Sequence, residues 1–434
     1  MSEFLLVILL LMLILCMGLP VAFSLGATSV ALIFLFGLPL KVVGATMFSS
    51  LDSFTTLSIP IFVLMSQILL DGRVGDDLFE VMNAWVCHLP GGLAIGTILA
   101  CAFFAAITGS GAATAATIGM VAYPAMIERG YDKSFTLGLL AAGGTLGILI
   151  PPSIPMIIYG TVTEDSVGRL FIAGVVPGLI LAGLFILYAI MKSKRGGFTP
   201  MPRTTWSERF SITAKNIWGI LLPFIIIGGI YSGAFTPTEA AAVGLVYSLF
   251  VTVVVYRTIK VRDIPGICLK SVPTSCMIAI IIAGALLFGR VMALLQIPQA
   301  LTEIVVENKM SALTFIIVMN LLMLVLGAML ETVSIVLLTM PLVTPILHAL
   351  GIDTIWYGVI LTVNMTMALV TPPVGMNLYV ICGIRNDVKM KEVIQGVFPF
   401  IVIMILFLVA TIVFPQMSQR LRSEERRVGK ECRS

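Results

Sequence analysis

The chain reads as long apolar blocks set apart by short polar connections, and several blocks exceed the length of one membrane crossing. Asp, Glu, Lys and Arg are absent from residues 93–127, 134–163, 354–384 and 393–419. A helix needs about 20 apolar residues to span a bilayer. The patterning is helical rather than that of a barrel, which predicts about a dozen membrane segments, some of them incomplete.

The same order of elements occurs twice. Pro151-Pro152 and Pro372-Pro373 each follow a charge-free helix rich in small residues, and a Gly-Val-x-Pro step (174–177, 396–399) comes 22 or 23 residues after each. Upstream, each half has an apolar block interrupted by a glycine-containing tip, at 108–111 and at 327–331. The block 92–128 is too long for one span and has no polar loop that could reach the far side. A helical hairpin that enters the membrane and returns fits it better.

Charge orients the halves. Lys192, Lys194, Arg195, Arg203 and Arg209 stand against a single Glu208 in 192–210, and Arg257, Lys260 and Arg262, then Arg385, Lys389 and Lys391, mark two more loops. The positive-inside rule assigns all three to the cytoplasm. The open end of the first hairpin carries Arg129 and Lys133, whereas the ends of the second block, at 308–309 and 348–353, are nearly neutral in sum. The first therefore opens to the cytoplasm and the second to the outside. The expected plan is an all-α polytopic membrane protein with an inverted-topology repeat, whose binding site lies near the midplane where the repeats meet. Residues 1–191 form the first repeat, with a hairpin over about 92–128 and a broken helix over about 134–163; 192–210 form a cytoplasmic linker. Residues 211–418 form the second repeat, with a hairpin over about 309–350 and a broken helix over about 354–385. Short amphipathic arms are expected near 38–50 and 262–271.

Composition excludes other classes. With 59% hydrophobic and 11% charged residues and a mean hydropathy of +1.09, the bilayer is the solvent. The net charge of +4 forms no basic stripe, so no nucleic-acid partner is indicated. Seven scattered cysteines and the isolated His88 and His348 outline neither a zinc site nor a disulfide framework. The apolar run from Phe4 lacks a basic leader and reads as a retained membrane helix. No nucleophile elbow, phosphate-binding loop or intramembrane His-x-x-x-His is present, so an enzyme or ATP-driven pump is disfavoured and an ion gradient must supply the energy.

The candidate chemistry lies at the tips and breaks. Pro-Pro cannot continue a helix, so 148–153 and 370–375 are breaks within spans. Each restarted half-helix, the second capped by Thr371, offers free amide hydrogens to a carboxylate, and the half-helix before it ends in carbonyls suited to Na⁺. Two breaks imply two ion sites. Kinking of packed helices is the bland account of the same prolines. At the first tip, Thr108 and Ser110 supply hydroxyls and Gly109 and Gly111 permit close backbone approach; small-residue packing explains them equally well. Gly327 and Glu331 mark the second tip, Glu331 being either a functional intramembrane acid or one favoured by a helix N-terminus. Arg290 has three readings: attracting an anionic substrate, pairing with Glu331, or snorkelling outward. Glu239 belongs to the capping box Thr236-Pro237-Thr238-Glu239 and is assigned a structural role.

Gly18-Leu19-Pro20-Val21-Ala22, Ile59-Pro60-Ile61-Phe62, Thr108-Gly109-Ser110, Ile150-Pro151-Pro152-Ser153, Thr236-Pro237-Thr238-Glu239-Ala240 and Thr371-Pro372-Pro373 occur in this order. Together they resemble the large membrane subunit of tripartite ATP-independent periplasmic (TRAP) transporters, over about residues 1–418. The resemblance implies a bacterial inner-membrane symporter of the elevator type in the ion-transporter superfamily. It implies Na⁺-driven uptake of an organic acid, such as a C4-dicarboxylate or sialic acid, delivered by a periplasmic substrate-binding protein. A separate small membrane subunit is implied too, and no cofactor beyond Na⁺ as coupling ion. Carried onto this chain, the ion sites fall on Ser110, Gly111, Gly147, Pro151, Gly327, Thr371 and Gly375. The substrate falls on Thr108, Ser110, Ser153 and Thr371, with Arg290 and Glu331 added as further substrate candidates. The tail 419–434 departs from the family: its basic residues would lie outside against the positive-inside rule, and it reads as a sequence artefact. A stand-alone Na⁺/dicarboxylate carrier and a passive channel or scaffold are the competing functions.

Overall fold

A computed structural model describes residues 2–196 and 203–417; the tail 419–434 and part of the linker lie outside the described residues. Every regular element described is helical. Among the described residues, seven helices are long and apolar enough to cross a membrane, and five shorter apolar helices accompany them. The first half runs through Ser2–Cys16, Val21–Leu35, Lys41–Leu51, Phe54–Asp71 and Val74–Val86 to a hairpin of Gly92–Thr108 and Gly111–Glu128. A broken helix, Lys133–Leu149 plus Ile154–Thr163, and the long Val167–Gly196 complete it. The second half repeats the order of hairpin, broken helix and long helix. Ile217–Tyr231, Pro237–Leu249, Ile264–Leu294 and Ile297–Glu307 lead to a hairpin of Ala312–Gly327 and Thr332–Ala349, then the broken helix Thr354–Ala368 plus Met376–Gly383, then Met390–Val413.

Local chemistry explains where elements start. Both broken helices begin on an aspartate: Asp132 Oδ1 accepts from Phe135 N (2.8 Å) and Asp353 Oδ1 from Trp356 N (2.9 Å). The Thr236 box forms as its sequence predicts, with Glu239 Oε2 accepting from Thr236 N at 2.8 Å, so Glu239 is a cap. The arms differ from expectation. Lys41–Leu51 is a separate helix because Ser53 is extended (φ −123°, ψ 128°), but the second arm runs unbroken into its span through Pro273.

Large apolar side chains such as Phe34, Phe48, Leu321 and Val325 are exposed on the outside, while the most apolar stretch of the first broken helix is wholly enclosed by protein. That inversion suits a protein dissolved in lipid, where close contact of small residues replaces the hydrophobic effect between helices. The helices fall into two groups, an outer group and a second body. Val21–Leu35, Lys41–Leu51, Phe54–Asp71, Pro237–Leu249 and Ile264–Leu294 pack chiefly on one another; the hairpins, broken helices and Met390–Val413 form a second body.

Val74–Val86 leans on the first hairpin and is clasped by the helix Trp206–Lys215. Arg209 sits 5.9 Å from the Trp85 ring centre and 5.2 Å from that of Trp206, and its Nη2 lies 3.1 Å from His88 Nδ1. Burial, then Arg203 and Arg209, hold the His88 imidazolium below its usual range. On the same helix, burial and then the neighbouring Glu80 and Asp76 push Asp77 up to about 6. A carboxyl whose folded pKa is raised costs stability when ionised, and the cost disappears as pH falls from about 6 through the ordinary carboxylate range. Asp77→Asn should therefore stabilise the protein at pH 8 by about 1 kcal/mol, discounted for partial exposure, with the gain vanishing near pH 4. Thermal melts at the two pH values check this.

Candidate functional site

Each hairpin tip is seated on a proline break. At the first, Gly109 turns the chain with φ +61°, and a Cβ there would lie 2.5 Å from the Pro152 carbonyl oxygen. Ser110 caps the returning arm, its Oγ accepting from Ala113 N at 3.4 Å, and Thr114 Oγ1 donates to the Ser110 carbonyl at 2.8 Å. Thr108 Oγ1 is 3.1 Å from both the Phe104 carbonyl oxygen and Thr114 Oγ1. A Cβ on Gly147 would lie 2.6 Å from the Ser110 oxygen and 2.9 Å from Gly111 N. Thr108, Ser110, Gly111, Gly147 and the Pro151-Pro152 break are thus brought together. Ser153 belongs to the break itself: it is fully buried, donates to the Ile148 carbonyl (2.6 Å) and accepts from Met156 N (3.5 Å). Its hydroxyl closes the gap between the half-helices.

At the second tip, Val374 N donates to the Ala328 carbonyl at 3.1 Å, joining break to hairpin. A Cβ on Gly327 would overlap that of Ala368. Gly375, with φ +43°, precedes the restarted helix, and Asn377 N donates back across the break to the Leu369 carbonyl at 3.0 Å. Thr371 is not the cap. Gly375 holds that position, because Thr371 Oγ1 turns back to donate to the Met367 carbonyl at 2.7 Å. Both Pro-Pro peptide bonds are cis. The breaks differ in surroundings: 150–153 is buried, whereas Pro372, Pro373 and Val374 are exposed.

Glu331 holds the N-cap position before Thr332–Ala349 but accepts no capping hydrogen bond through its side chain. Arg290 does not meet it. Arg290 is exposed one turn from the end of Ile264–Leu294, and no ion pair joins the two among the described residues. The helix carrying Arg290 belongs to the outer group; Gly289, not Arg290, faces the hairpin at Pro341. The position matches the snorkelling account.

Three asparagines stand out that sequence reasoning passed over. Asn364 Nδ2 donates to both the backbone and side-chain oxygens of Asn320 at 2.8 Å, and Asn377 Nδ2 donates to the Ala141 carbonyl of the other half at 3.0 Å. Asn364 and Asn377 are fully buried, and each leaves its Oδ1 without a protein partner. Their signal was available: an amide inside a charge-free apolar segment is expensive unless it has a partner or a role.

No group of three or more His, Cys, Asp or Glu that could hold a metal occurs among the described residues. A cation at the tips would meet backbone carbonyls, hydroxyls and amide oxygens, the hard ligands that suit an alkali ion. Beside the first hairpin, a cavity of about 630 Å³ opens between the two bodies, with Asp71, Arg73 and Lys270 on one wall and Thr117, Met120 and Val121 on the other. Lys270 Nζ pairs with Asp71 Oδ2 at 2.6 Å on the outer wall.

Known proteins resemble this chain in fold and in sequence. The crystal structure of the Alcanivorax borkumensis YdaH transporter superposes with a TM-score of 0.62 over 88% of this chain and 90% of that one; at 14% identity, this speaks to fold alone. The C4-dicarboxylate TRAP transporter large permease protein DctM of Pseudomonas aeruginosa is 41% identical over 92% of this chain and 93% of its own length. The isethionate TRAP transporter permease protein DctMQ of Oleidesulfovibrio alaskensis is 34% identical over 93% of this chain, which spans 64% of that longer protein. The sequence profile described as "Tripartite ATP-independent periplasmic transporter, DctM component" matches residues 7–417. With its apolar spans and paired hairpins, the chain is a multi-pass permease of the bacterial inner membrane rather than an enzyme, and it belongs to the DctM-component family of TRAP transporters.

Proposed function

We propose that this permease couples inward Na⁺ movement to uptake of an organic acid, with a C4-dicarboxylate as the favoured class. The observation that carries the proposal is the seating of both hairpin tips on proline breaks, through Gly109 against Pro152 and Val374 against Ala328. One Na⁺ is assigned to Ser110, Gly111, Gly147 and Pro151, and a second to Gly327, Thr371 and Gly375. Bound there, each ion holds a tip against its break and fixes the adjoining helix N-terminus for a carboxylate, with Thr108 and Ser110 as hydrogen-bonding partners. The substrate class is drawn from the Pseudomonas relative, whose name specifies C4-dicarboxylates.

The remaining parts follow from the same reading. The hairpins and broken helices move as one body against the outer group in an elevator motion, and the cavity between Lys270 and Thr117 is the cytoplasmic side of the gap along which they slide. A periplasmic binding protein delivers the acid, and a small membrane subunit braces the outer group; the longer DctMQ relative favours that second partner. Proteoliposomes containing the chain, its small subunit and its binding protein should accumulate a C4-dicarboxylate only with an inward Na⁺ gradient. Uptake by the chain alone would instead favour a stand-alone carrier, and flux indifferent to the gradient would favour a channel.

A further inference from the structure

We infer that Asn377, a residue of the second half, supplies a side-chain oxygen to the cation site of the first hairpin tip. The inference rests on the Na⁺-coupled reading above and extends it to a ligand and to a link between the two sites. Asn377 lies at the start of Met376–Gly383, the restarted part of the second broken helix, and that helix packs on the returning arm of the first hairpin and on the first broken helix.

Two of its polar groups are committed. The backbone N–H donates to the Leu369 carbonyl and Nδ2 donates to the Ala141 carbonyl, each at 3.0 Å. The third, Oδ1, has no protein partner, although the residue is 0% exposed. The amide orientation follows from chemistry: turning it over would aim Oδ1 at the Ala141 carbonyl oxygen and strand Nδ2 instead. Oδ1 therefore points away from Ala141, and a buried acceptor left there has room for a partner that the protein itself does not supply.

The surroundings indicate which ligand. Oδ1 lies 3.6 Å from the point a Cβ on Gly111 would occupy, and Nδ2 lies 3.0 Å from the corresponding point on Gly144. The Gly111 carbonyl oxygen is likewise 3.0 Å from that Gly144 point, and the Ser110 oxygen approaches Gly147 one turn further along the same helix. The amide fits because both glycines lack side chains. Oδ1 thus stands beside Gly111 of the first tip, where the Gly144 carbonyl oxygen also approaches, 3.3 Å from the same point, and neutral oxygens of this kind are chemistry for a weakly held alkali cation. In the Pro-Pro register the first half carries Met156 at this place, which offers no oxygen, so the contribution runs one way. Through Asn377, an ion at the first tip also tethers the Leu369 side of the second break.

The test is Na⁺ binding by the full chain with its small subunit in nanodiscs, read by ²²Na⁺ equilibrium binding and by Na⁺-dependent thermal stability, with K⁺ as control. Asn377→Ala should weaken Na⁺ binding about tenfold, while Asn377→Asp, which keeps the oxygen and loses the donor to Ala141, stays within about threefold of the unaltered chain. If the Ala variant does not fold, Asn377→Leu, similar in volume and without polar atoms, takes its place with the same expectation. A residue that merely staples the helices gives the opposite pattern: Asp and Ala lower stability alike, and Na⁺ affinity does not move. That result, or unchanged affinity in the Ala and Leu variants, overturns the inference and leaves the coupling reading standing. Absence of Na⁺ binding in the unaltered chain overturns both.

Discussion

Gly147→Ala should lower Na⁺-driven uptake by about 100-fold while leaving a folded, membrane-inserted protein. The added methyl would lie 2.6 Å from the Ser110 carbonyl oxygen, 2.7 Å from its carbon and 2.9 Å from Gly111 N. All three are backbone atoms of the hairpin tip, so no side-chain rotation relieves the clash and the tip itself must withdraw from the break. The rest of Lys133–Leu149 is held by its Asp132 cap and by surrounding helices, so the displacement stays local. A reacting or ligating group moved by about 1 Å loses most of its effect. Uptake and thermal stability measured side by side check the prediction, and near-normal uptake would remove the tip-on-break contact from the mechanism.

Gly396→Ala should act on folding instead. A Cβ on Gly396 would overlap the Ser134 carbonyl oxygen, and one on Gly138 would overlap the Gly396 carbonyl, because Met390–Val413 and Lys133–Leu149 cross with their backbones touching. Forcing them apart opens a helix that is almost wholly enclosed by protein, a loss of about 3 kcal/mol or more. The variant should yield little monodisperse protein in detergent. Gly183→Ala, where a Cβ meets nothing within 4 Å, is the control and should behave as the unaltered chain. A stable Gly396→Ala protein would contradict the packing.

These glycines show what was legible in the sequence. The Gly-Val-x-Pro steps appeared only as a repeat marker; in the structure both Gly174 and Gly396 press on the first broken helix, at the Leu149 and Ser134 carbonyls. Hairpins and breaks could be read because blocks of the wrong length for a bilayer and tandem prolines leave few alternatives. Caps were legible only when the chemistry was strictly local. Thr236 and Glu239 satisfy each other within one turn, whereas Thr371 had a competing carbonyl one turn back, at Met367, and took it.

What the sequence could not convey was which side chains meet across the halves. Pairing with Glu331 is one of the three readings that the sequence allows for Arg290, because both are charges in apolar runs, yet they belong to different bodies. The sequence marks Asn377 only as a costly amide in an apolar run; its partner, the Ala141 carbonyl 236 residues away, and the oxygen left over are not encoded there. Pairings of this kind depend on helix packing that no local pattern encodes.

The central claim is that ions at two tip-on-break sites are moved together with the acid. Parallel ²²Na⁺ and radiolabelled dicarboxylate fluxes into proteoliposomes of the complete transporter test it most directly. The account predicts more than one Na⁺ entering per dicarboxylate, with both fluxes falling together in Gly147→Ala; dicarboxylate uptake without accompanying Na⁺ would contradict it.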